Sequence, residues 1–169
     1  YKKMNLRKLF LPLCSVALCL QSYAQDKSFL KDMLWYIDNP SVFEKGQEEG
    51  HAWHMPEKSM LLNGTWKFFW CDTPEGIPAH FFNPEFPDKQ WGDIKVPSNW
   101  EMQGYGDKLF RNVSAPFGVN PPHAPKEYNP TGLYRRTFKV AASWAAKDQI
   151  FLRFEKVASA SFVWVNGHE

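Results

Sequence analysis

Proline and glycine recur at short intervals along most of this chain, and this punctuation is what most restricts its fold. The 169 residues include 13 prolines and 10 glycines, and 17% of all residues are aromatic. Proline cannot donate to a hydrogen-bond ladder and glycine weakens helices and strands, so the apolar segments between them must be short. No stretch keeps a sustained helical period. The sequence therefore predicts an all-β fold, an antiparallel jelly-roll-like β sandwich with little helix.

Short apolar segments between these breaks predict the strands. One strand is predicted over 65–70, directly after an Asn63-Gly64 turn. A second is predicted over 133–140, where alternate residues lie on opposite faces. A third over 150–154 would point Ile150, Leu152 and Phe154 inward, and a fourth over 162–164 would place Phe162 and Trp164 on one face. A further short strand ends at Val96-Pro97. Residues 71–91 carry four prolines and should be mostly loop. Residues 28–36 form either a short helix or a frayed linker, and 141–147 a single helical turn.

Both ends of the chain suggest a fragment. Asn166-Gly167 predicts a two-residue hairpin turn, yet only two residues follow it, so the return strand would be missing. The first residue is Tyr1 rather than a methionine, and Met4 is an alternative start. We therefore expect a truncated chain with three parts: a signal peptide over 1–24, an extension or linker over 25–60, and an incomplete β sandwich over 61–169.

The first 24 residues have the three parts of a secretory signal. Four basic residues precede an apolar run over 9–20, and Ser22-Tyr23-Ala24 matches a small-x-small cleavage site, so the mature chain should begin at Gln25. The apolar run is shorter than the ~20 residues that a membrane span needs. Lipidation at Cys19 is disfavoured because Leu18 before it is large. We expect an exported protein, periplasmic in a Gram-negative bacterium.

The net charge argues against nucleic acid and anionic membranes as partners. The formal charge is +2, with 20 basic and 18 acidic residues. Without the four basic residues of the leader, 16 basic residues face 18 acidic ones, a balance of −2. Cys71 is the one cysteine outside the leader, so no internal disulfide is expected.

The sequence shows no catalytic or metal-binding motif of its own. Retaining glycosidases place two carboxyl groups about 5 to 5.5 Å apart, and the adjacent Glu48-Glu49 reads as a solvated charge pair instead. His51 and His54 lie three apart but have no Cys or carboxylate cluster at ligand spacing. We therefore expect no catalytic residue, no metal ligand and no cofactor within this chain.

Four motifs in a fixed order carry a resemblance to a known family. They are VPSNWEMQGYG at 96–106, FRNVSAPF at 110–117, NPP at 120–122 and NPTGLYRRTF at 129–138. Over roughly residues 35 to 167 the chain resembles the amino-terminal sugar-binding domain of the β-galactosidases of glycoside hydrolase family 2. This resemblance implies a galactose-binding-domain-like jelly roll. β-Glucuronidase and β-mannosidase are the alternatives within the family, and the third and fourth motifs favour the β-galactosidase branch.

The resemblance also implies one substrate contact. In the family, the asparagine of an Asn-Val pair reaches into the active site of a following barrel, and the matching positions here are Asn112 and Val113. From the residues alone, Asn112 reads as a turn cap. The catalytic glutamates would lie beyond Glu169, so the chain alone should be inactive. For a longer protein, the resemblance allows Mg²⁺ and Na⁺ as cofactors and homo-oligomers as assemblies.

Two functions are consistent with these features. The first is the amino-terminal part of an exported β-galactosidase that hydrolyses terminal β-galactosides, in which this domain scaffolds and completes the active site. The second is a free-standing, non-catalytic carbohydrate-binding module that uses exposed rings such as Trp91, Trp100 or Tyr105. Because large rings are mostly buried, we expect these three rings to belong to the core of the sandwich.

Overall fold

The centre of the protein is a small antiparallel sheet. A computed structural model describes residues 27–42, 44–47, 55–108, 120–145, 149–158 and 160–169. The sheet has strand order β2-β1-β3, with β1 at Gly64–Cys71, β2 at Gly92–Val96 and β3 at Thr131–Arg135. Helix α1 spans Ser28–Asp38, α2 spans Ala142–Ala145, and single 3-10 turns span Pro74–Gly76 and Trp100–Gln103. The predicted all-β, jelly-roll-like fold class is confirmed.

Strand β1 is the middle strand and is covered on both faces. It pairs antiparallel with β2, where Phe68 faces Gly92, and with β3, where Phe69 faces Leu133. Successive side chains of a strand point to opposite faces, so Phe68 lies on one face and Phe69 on the other. Phe68 is 1% exposed, so the sheet is covered on this face as well at the position of Phe68. In the described residues, loops and a helix supply this cover.

The face that carries Phe69 holds the larger apolar cluster. The centre of the Phe69 ring lies 5.5 Å from that of the Trp91 ring, which in turn lies 5.6 Å from the centre of the Phe86 ring. The buried members of this cluster are Leu30, Cys71, Ile77, Phe81, Trp91 and Leu133. The loop 72–91 therefore folds back over this face. This agrees with the prediction, based on its four prolines, that the segment is mostly loop.

Helix α1 belongs to this packed face. Leu30 is 8% exposed, and Phe29 and Met33 pack against the same cluster. These residues share one side of the helix because neighbours at three and four residues lie one above the other. The helix ends before Pro40, which disfavours helical backbone at Asn39, and Asn39 is extended. Of the two predictions for this segment, the helix is correct, and it continues to Asp38.

Arg135 ties the loop 81–91 to the sheet. Its Nε donates to Asp88 Oδ2 at 3.0 Å, and its guanidinium carbon lies 5.7 Å from the centre of the Phe86 ring. The remaining contacts are donations to the carbonyl oxygens of Phe81, Asn83 and Pro84 and a position over the Trp91 ring. One guanidinium thus satisfies several loop carbonyls that would otherwise need other partners.

The strand predictions at 150–154 and 133–140 need correction. Ile150, Leu152 and Phe154 do not point inward from a strand: residues 149–158 form no strand, and these three side chains are 42 to 50% exposed. Alternation alone does not make a strand when no neighbouring strand is present to pair with, and none pairs with this segment in the described residues. Strand β3 is also shorter than the predicted 133–140, since it begins at Thr131 and ends at Arg135.

The predicted terminal turn is confirmed, although the strand before it is not formed. Val165 and His168 form an isolated antiparallel bridge around Asn166-Gly167, and both turn residues have positive φ. Phe162 and Trp164 lie on the same side, with ring centres 6.3 Å apart, and Trp164 stacks on Phe82 at 5.8 Å. The turn therefore closes onto the same apolar face as α1.

Several predictions fall outside the described residues. The signal peptide at 1–24, Glu48-Glu49, His51, His54, Asn112 and Val113 are among them. Within the described ranges, no helix has the length and apolar character needed to cross a membrane.

Candidate functional site

The loop 97–106, which carries the first family motif, packs on the face of the sheet that carries Phe68. The ring of Phe68 lies 4.7 Å from Tyr105, edge to face at 76°, and 6.2 Å from Trp100. Such offset and edge contacts stabilise aromatic pairs beyond simple burial. Tyr105 and Trp100 are half-buried as a result. The loop is thus held by its own two rings on either side of one buried phenylalanine.

Two glycines make room for these rings. A Cβ on Gly92 would lie 2.7 Å from the Tyr105 hydroxyl oxygen, and a Cβ on Gly132 would lie 2.7 Å from two carbons of the Trp100 ring. No real Cβ tolerates such a contact without movement of its neighbour. Gly92 is the cross-strand partner of Phe68, and Gly132 lies on the other neighbouring strand. Packing therefore explains the glycine at 132 in the fourth motif, because a side chain there would collide with the Trp100 ring.

Gln103 fixes the loop to the edge of β2 that has no neighbouring strand in the described part of the chain. Its side-chain Oε1 accepts from the Lys95 N–H at 2.9 Å, and its Nε2 donates to the Lys95 carbonyl oxygen at 2.9 Å. A second contact from Nε2 reaches the Ser98 hydroxyl. The amide therefore occupies the place that a neighbouring strand would take along this edge.

Gly104 and Gly106 have the turn role that the sequence predicts. Their φ angles are +95° and +63°, in the left-handed region that favours glycine. Gly106 also passes close to Trp70, because a Cβ there would lie 3.2 Å from Cζ2 of that ring. These two positions turn the chain sharply after Gln103 and direct it towards Asp107.

Asp107 and Tyr128 lie on either side of the segment that carries the predicted substrate contact. The Tyr128 hydroxyl donates to Asp107 Oδ2 at 3.3 Å, and the Asn129 N–H donates to the Asp72 carbonyl oxygen at 2.8 Å. Burial is the main cause of a raised Tyr128 pKa, and the neighbouring Asp107 carboxylate adds to it. Asn112 and Val113 come between Asp107 and Tyr128 in the sequence and fall outside the described residues. Sequence analysis did not identify Asp107 or Tyr128.

Of the three rings proposed as a sugar platform, Trp91 is buried, and Trp100 and Tyr105 are half-buried. Trp91 is 8% exposed and belongs to the apolar cluster, and Trp100 and Tyr105 pack on Phe68. This agrees with the expectation that large rings are buried. Among the tryptophans of the described residues, the exposed one is Trp35 on α1, at 54%. The exposure of Trp35 was not predicted, because this residue lies in an apolar helical segment in which a ring is expected to pack.

Titratable groups in the described residues do not assemble into a cluster that could hold a metal ion. No group of three or more His, Cys, Asp or Glu side chains comes together there. Cys71 is buried, and burial raises the pKa of its thiol from 9.0 to about 11. A thiol with a raised pKa is a poor nucleophile, which fits a structural role in the core.

Comparison with known proteins identifies the family. Residues 59–169, more than half of the chain, match the family described as Glycosyl hydrolases family 2, sugar binding domain. The chain belongs to this family.

Its relatives include three proteins named beta-galactosidase. The protein of Priestia megaterium is 37% identical over 77% of this chain and 14% of its own length. Those of Psychromonas ingrahamii and Photobacterium profundum are 40% and 44% identical, over 69% and 63% of this chain and 12% and 10% of their own lengths. The chain thus spans about a seventh or less of the length of these relatives.

Proposed function

We propose that the protein is the amino-terminal part of an exported β-galactosidase-like glycoside hydrolase, in which this domain scaffolds and completes the active site. The observation that carries the proposal is the identity of 37 to 44% to proteins named beta-galactosidase, over 63 to 77% of this chain. The proposed substrates are terminal β-galactosides, and hydrolysis belongs to the longer protein. The proposed partners of the domain are the remaining domains of that protein.

The packing of the loop 97–106 supports a scaffolding role. The Tyr105 ring packs over Gly92 and the Trp100 ring over Gly132. Together with the Gln103 amide, which bonds the Lys95 backbone, these contacts fix the chain on one side of the segment that holds Asn112. The contacts of Tyr128 and Asn129 fix the other side. Rigid supports of this kind are what a substrate-contacting side chain needs, because small displacements at an active site greatly reduce the rate.

The proposed role of Asn112 follows from the chemistry of its amide. The side chain both donates and accepts hydrogen bonds, and a sugar hydroxyl does the same. Within a closed active site, Asn112 would bond a hydroxyl of the galactose while the two catalytic carboxyl groups come from the following barrel. The described residues bring no metal-ligand group together, so no step is assigned to Mg²⁺ or Na⁺ held by this chain.

Steady-state kinetics of Asn112→Ala in the longer protein tests this function. Loss of one hydrogen bond in the active site should cost ~1 to 3 kcal/mol of transition-state stabilisation, or about 5-fold to 150-fold in kcat/KM. Asn120→Ala is the matched control, because this asparagine is exposed and is not proposed to contact the substrate, so kcat/KM should be unchanged. If Asn112 caps a turn instead, the variant will have a lower melting temperature and normal kcat/KM per folded enzyme, which would contradict the proposal.

Export is the second part of the proposed function. It is supported by the basic residues, the short apolar run and the Ser22-Tyr23-Ala24 site of the leader. Mass spectrometry of the periplasmic fraction should find a mature chain that begins at Gln25. A lipid-bearing chain that begins at Cys19 would contradict this processing.

A further inference from the structure

The outer side of α1 and the loop at 121–124 border a shallow, open cleft of about 440 Å³. Its lining combines one large exposed ring with charged and amide side chains. The lining residues are Lys31, Leu34, Trp35, Asp38, Asn39 and His123. We call this the Trp35 cleft. Saccharide sites have this composition, because a sugar ring presents apolar C–H groups on its faces and hydroxyl groups around its edge.

Trp35 supplies the apolar platform of the cleft. Its side chain is 54% exposed although α1 packs its opposite side on the core through Leu30. The indole is steadied by an edge contact with Tyr36, with ring centres 5.1 Å apart and an interplanar angle of 75°. An aromatic ring on a packed helix is a rigid contact surface that loses little conformational entropy when a ligand binds.

Asp38 and His123 form a fixed polar pair at one end of the cleft. Asp38 Oδ1 accepts from the Ala124 N–H at 2.7 Å, and its Oδ2 lies 3.3 Å from His123 Nδ1. The Ala124 hydrogen bond is the main cause of a lowered Asp38 pKa, and His123 lowers it further. Because Nδ1 faces Asp38, Nε2 lies on the far side of the imidazole, where it can bond a hydroxyl group.

Asn39 adds donors and Lys31 adds a positive charge. The Asn39 side-chain oxygen accepts from the Ser41 N–H at 3.1 Å, so the amide nitrogen with its two protons is the part left to face a ligand. Asp38 and Lys31 give the lining one side chain of each charge. A balanced pair of charges favours a neutral polar ligand, because an anion would meet Asp38 and a cation would meet Lys31.

We propose that the Trp35 cleft is a non-catalytic binding site for a neutral saccharide. One sugar face packs on Trp35, and hydroxyl groups of the sugar bond Asp38, Asn39 and His123. The proposal goes beyond the proposed function, since it assigns no turnover to the cleft and does not depend on whether a longer protein hydrolyses galactosides.

Titration of the 169-residue chain with lactose and with a neutral galactan oligosaccharide tests the site. We expect weak, saturable binding in calorimetry and ligand-detected NMR, as befits an open cleft. Trp35→Ala should weaken binding roughly ten-fold or more, as loss of a central aromatic anchor does. His123→Ala should weaken it several-fold. Met102→Ala is the control, because Met102 is 70% exposed and is not part of the lining.

Several results would overturn the proposal. These are absence of saccharide binding by the folded chain, equal affinity in the Trp35→Ala variant, and tighter binding of inorganic phosphate than of lactose. A dimer that Trp35→Ala abolishes would show that a second copy covers the cleft, which also overturns it. If Trp35→Ala does not fold, His123→Ala decides. Hydrolysis is measured separately in the longer protein, so failure of the proposed function leaves this result unaffected.

Discussion

The indole of Trp100 lies directly against the backbone of Gly132. A Cβ on Gly132 would be 2.7 Å from both Cε3 and Cζ3 of the ring, and 2.8 Å from Cε2 of Phe68. Trp100 belongs to the motif at 96–106 and Gly132 to the motif at 129–138, so two distant parts of the sequence fit together at this point. The absence of a side chain at 132 is therefore as specific a packing feature as the ring that covers it.

We expect Gly132→Ala to lower the free energy of unfolding by about 1 to 3 kcal/mol, because the new methyl group overpacks a filled site. Urea denaturation of the variant and the parent chain measures this. In a Trp100→Ala background the cost should fall, since the indole is then absent, yet some cost should remain because Phe68 is also in the way. An equal cost in both backgrounds would show that Trp100 and Gly132 are not coupled.

Strong local signals made the sheet predictable from the sequence. The Asn63-Gly64 turn and the aromatic run after it predict β1, and the structure places that strand at Gly64–Cys71. The Asn166-Gly167 turn was equally clear, and the bridge between Val165 and His168 confirms it. In both cases the signal is local, because a run of strand-forming residues or a two-residue turn is recognised without a distant partner.

The errors occur where a distant partner decides the outcome. Alternation at Ile150, Leu152 and Phe154 is typical of a strand, but no strand pairs with this segment in the described residues. The exposed indole of Trp35 could not be found either, since only the packing of α1 shows which side of the helix faces outward. Asn112 was identified by resemblance rather than by chemistry, and its role stays a prediction.

Arg135→Lys should destabilise the protein by about 2 kcal/mol, because an ammonium group cannot reproduce the planar set of donors that the loop carbonyls and Asp88 accept. The side chain is 19% exposed, so water replaces these contacts only in part. Arg153→Lys is the control. Arg153 is 45% exposed and pairs with Glu155 two residues away, and its loss should cost about 0.5 kcal/mol or less. Equal melting temperatures for the two variants would contradict the role assigned to Arg135.

Cys71 should make the protein less stable at alkaline pH. Below pH 9 the thiol is protonated in the folded and the unfolded chain, so it adds no pH dependence. Above that value the unfolded chain loses the proton, while burial raises the pKa of the folded thiol to about 11. The free energy of unfolding should therefore fall between these pH values, by about 1 to 3 kcal/mol in total.

The matched variant for this effect is Cys71→Ser, which has no group that titrates in this range. Other groups also lose protons above pH 9, so the informative quantity is the difference between the two proteins. Denaturation curves at pH 8, 9, 10 and 11 should show that the parent chain loses stability more steeply than Cys71→Ser. Parallel curves would mean that the folded thiol ionises as readily as the unfolded one.

Gln103→Glu should weaken the attachment of the loop 97–106 to β2. The amide both accepts from the Lys95 N–H and donates to the Lys95 carbonyl oxygen, whereas a carboxylate can only accept. One carboxylate oxygen would then face the Lys95 carbonyl, and the expected cost is about 1 to 2 kcal/mol. Gln90→Glu makes the same charge change at an exposed turn and should have little effect.

Amide hydrogen exchange gives the local readout, since the Lys95 N–H keeps an acceptor while the rings of Trp100 and Tyr105 lose a restraint. We therefore expect faster exchange across 99–106 than in β1. Uniform exchange in the two segments would show that Gln103 does not hold the loop to the strand.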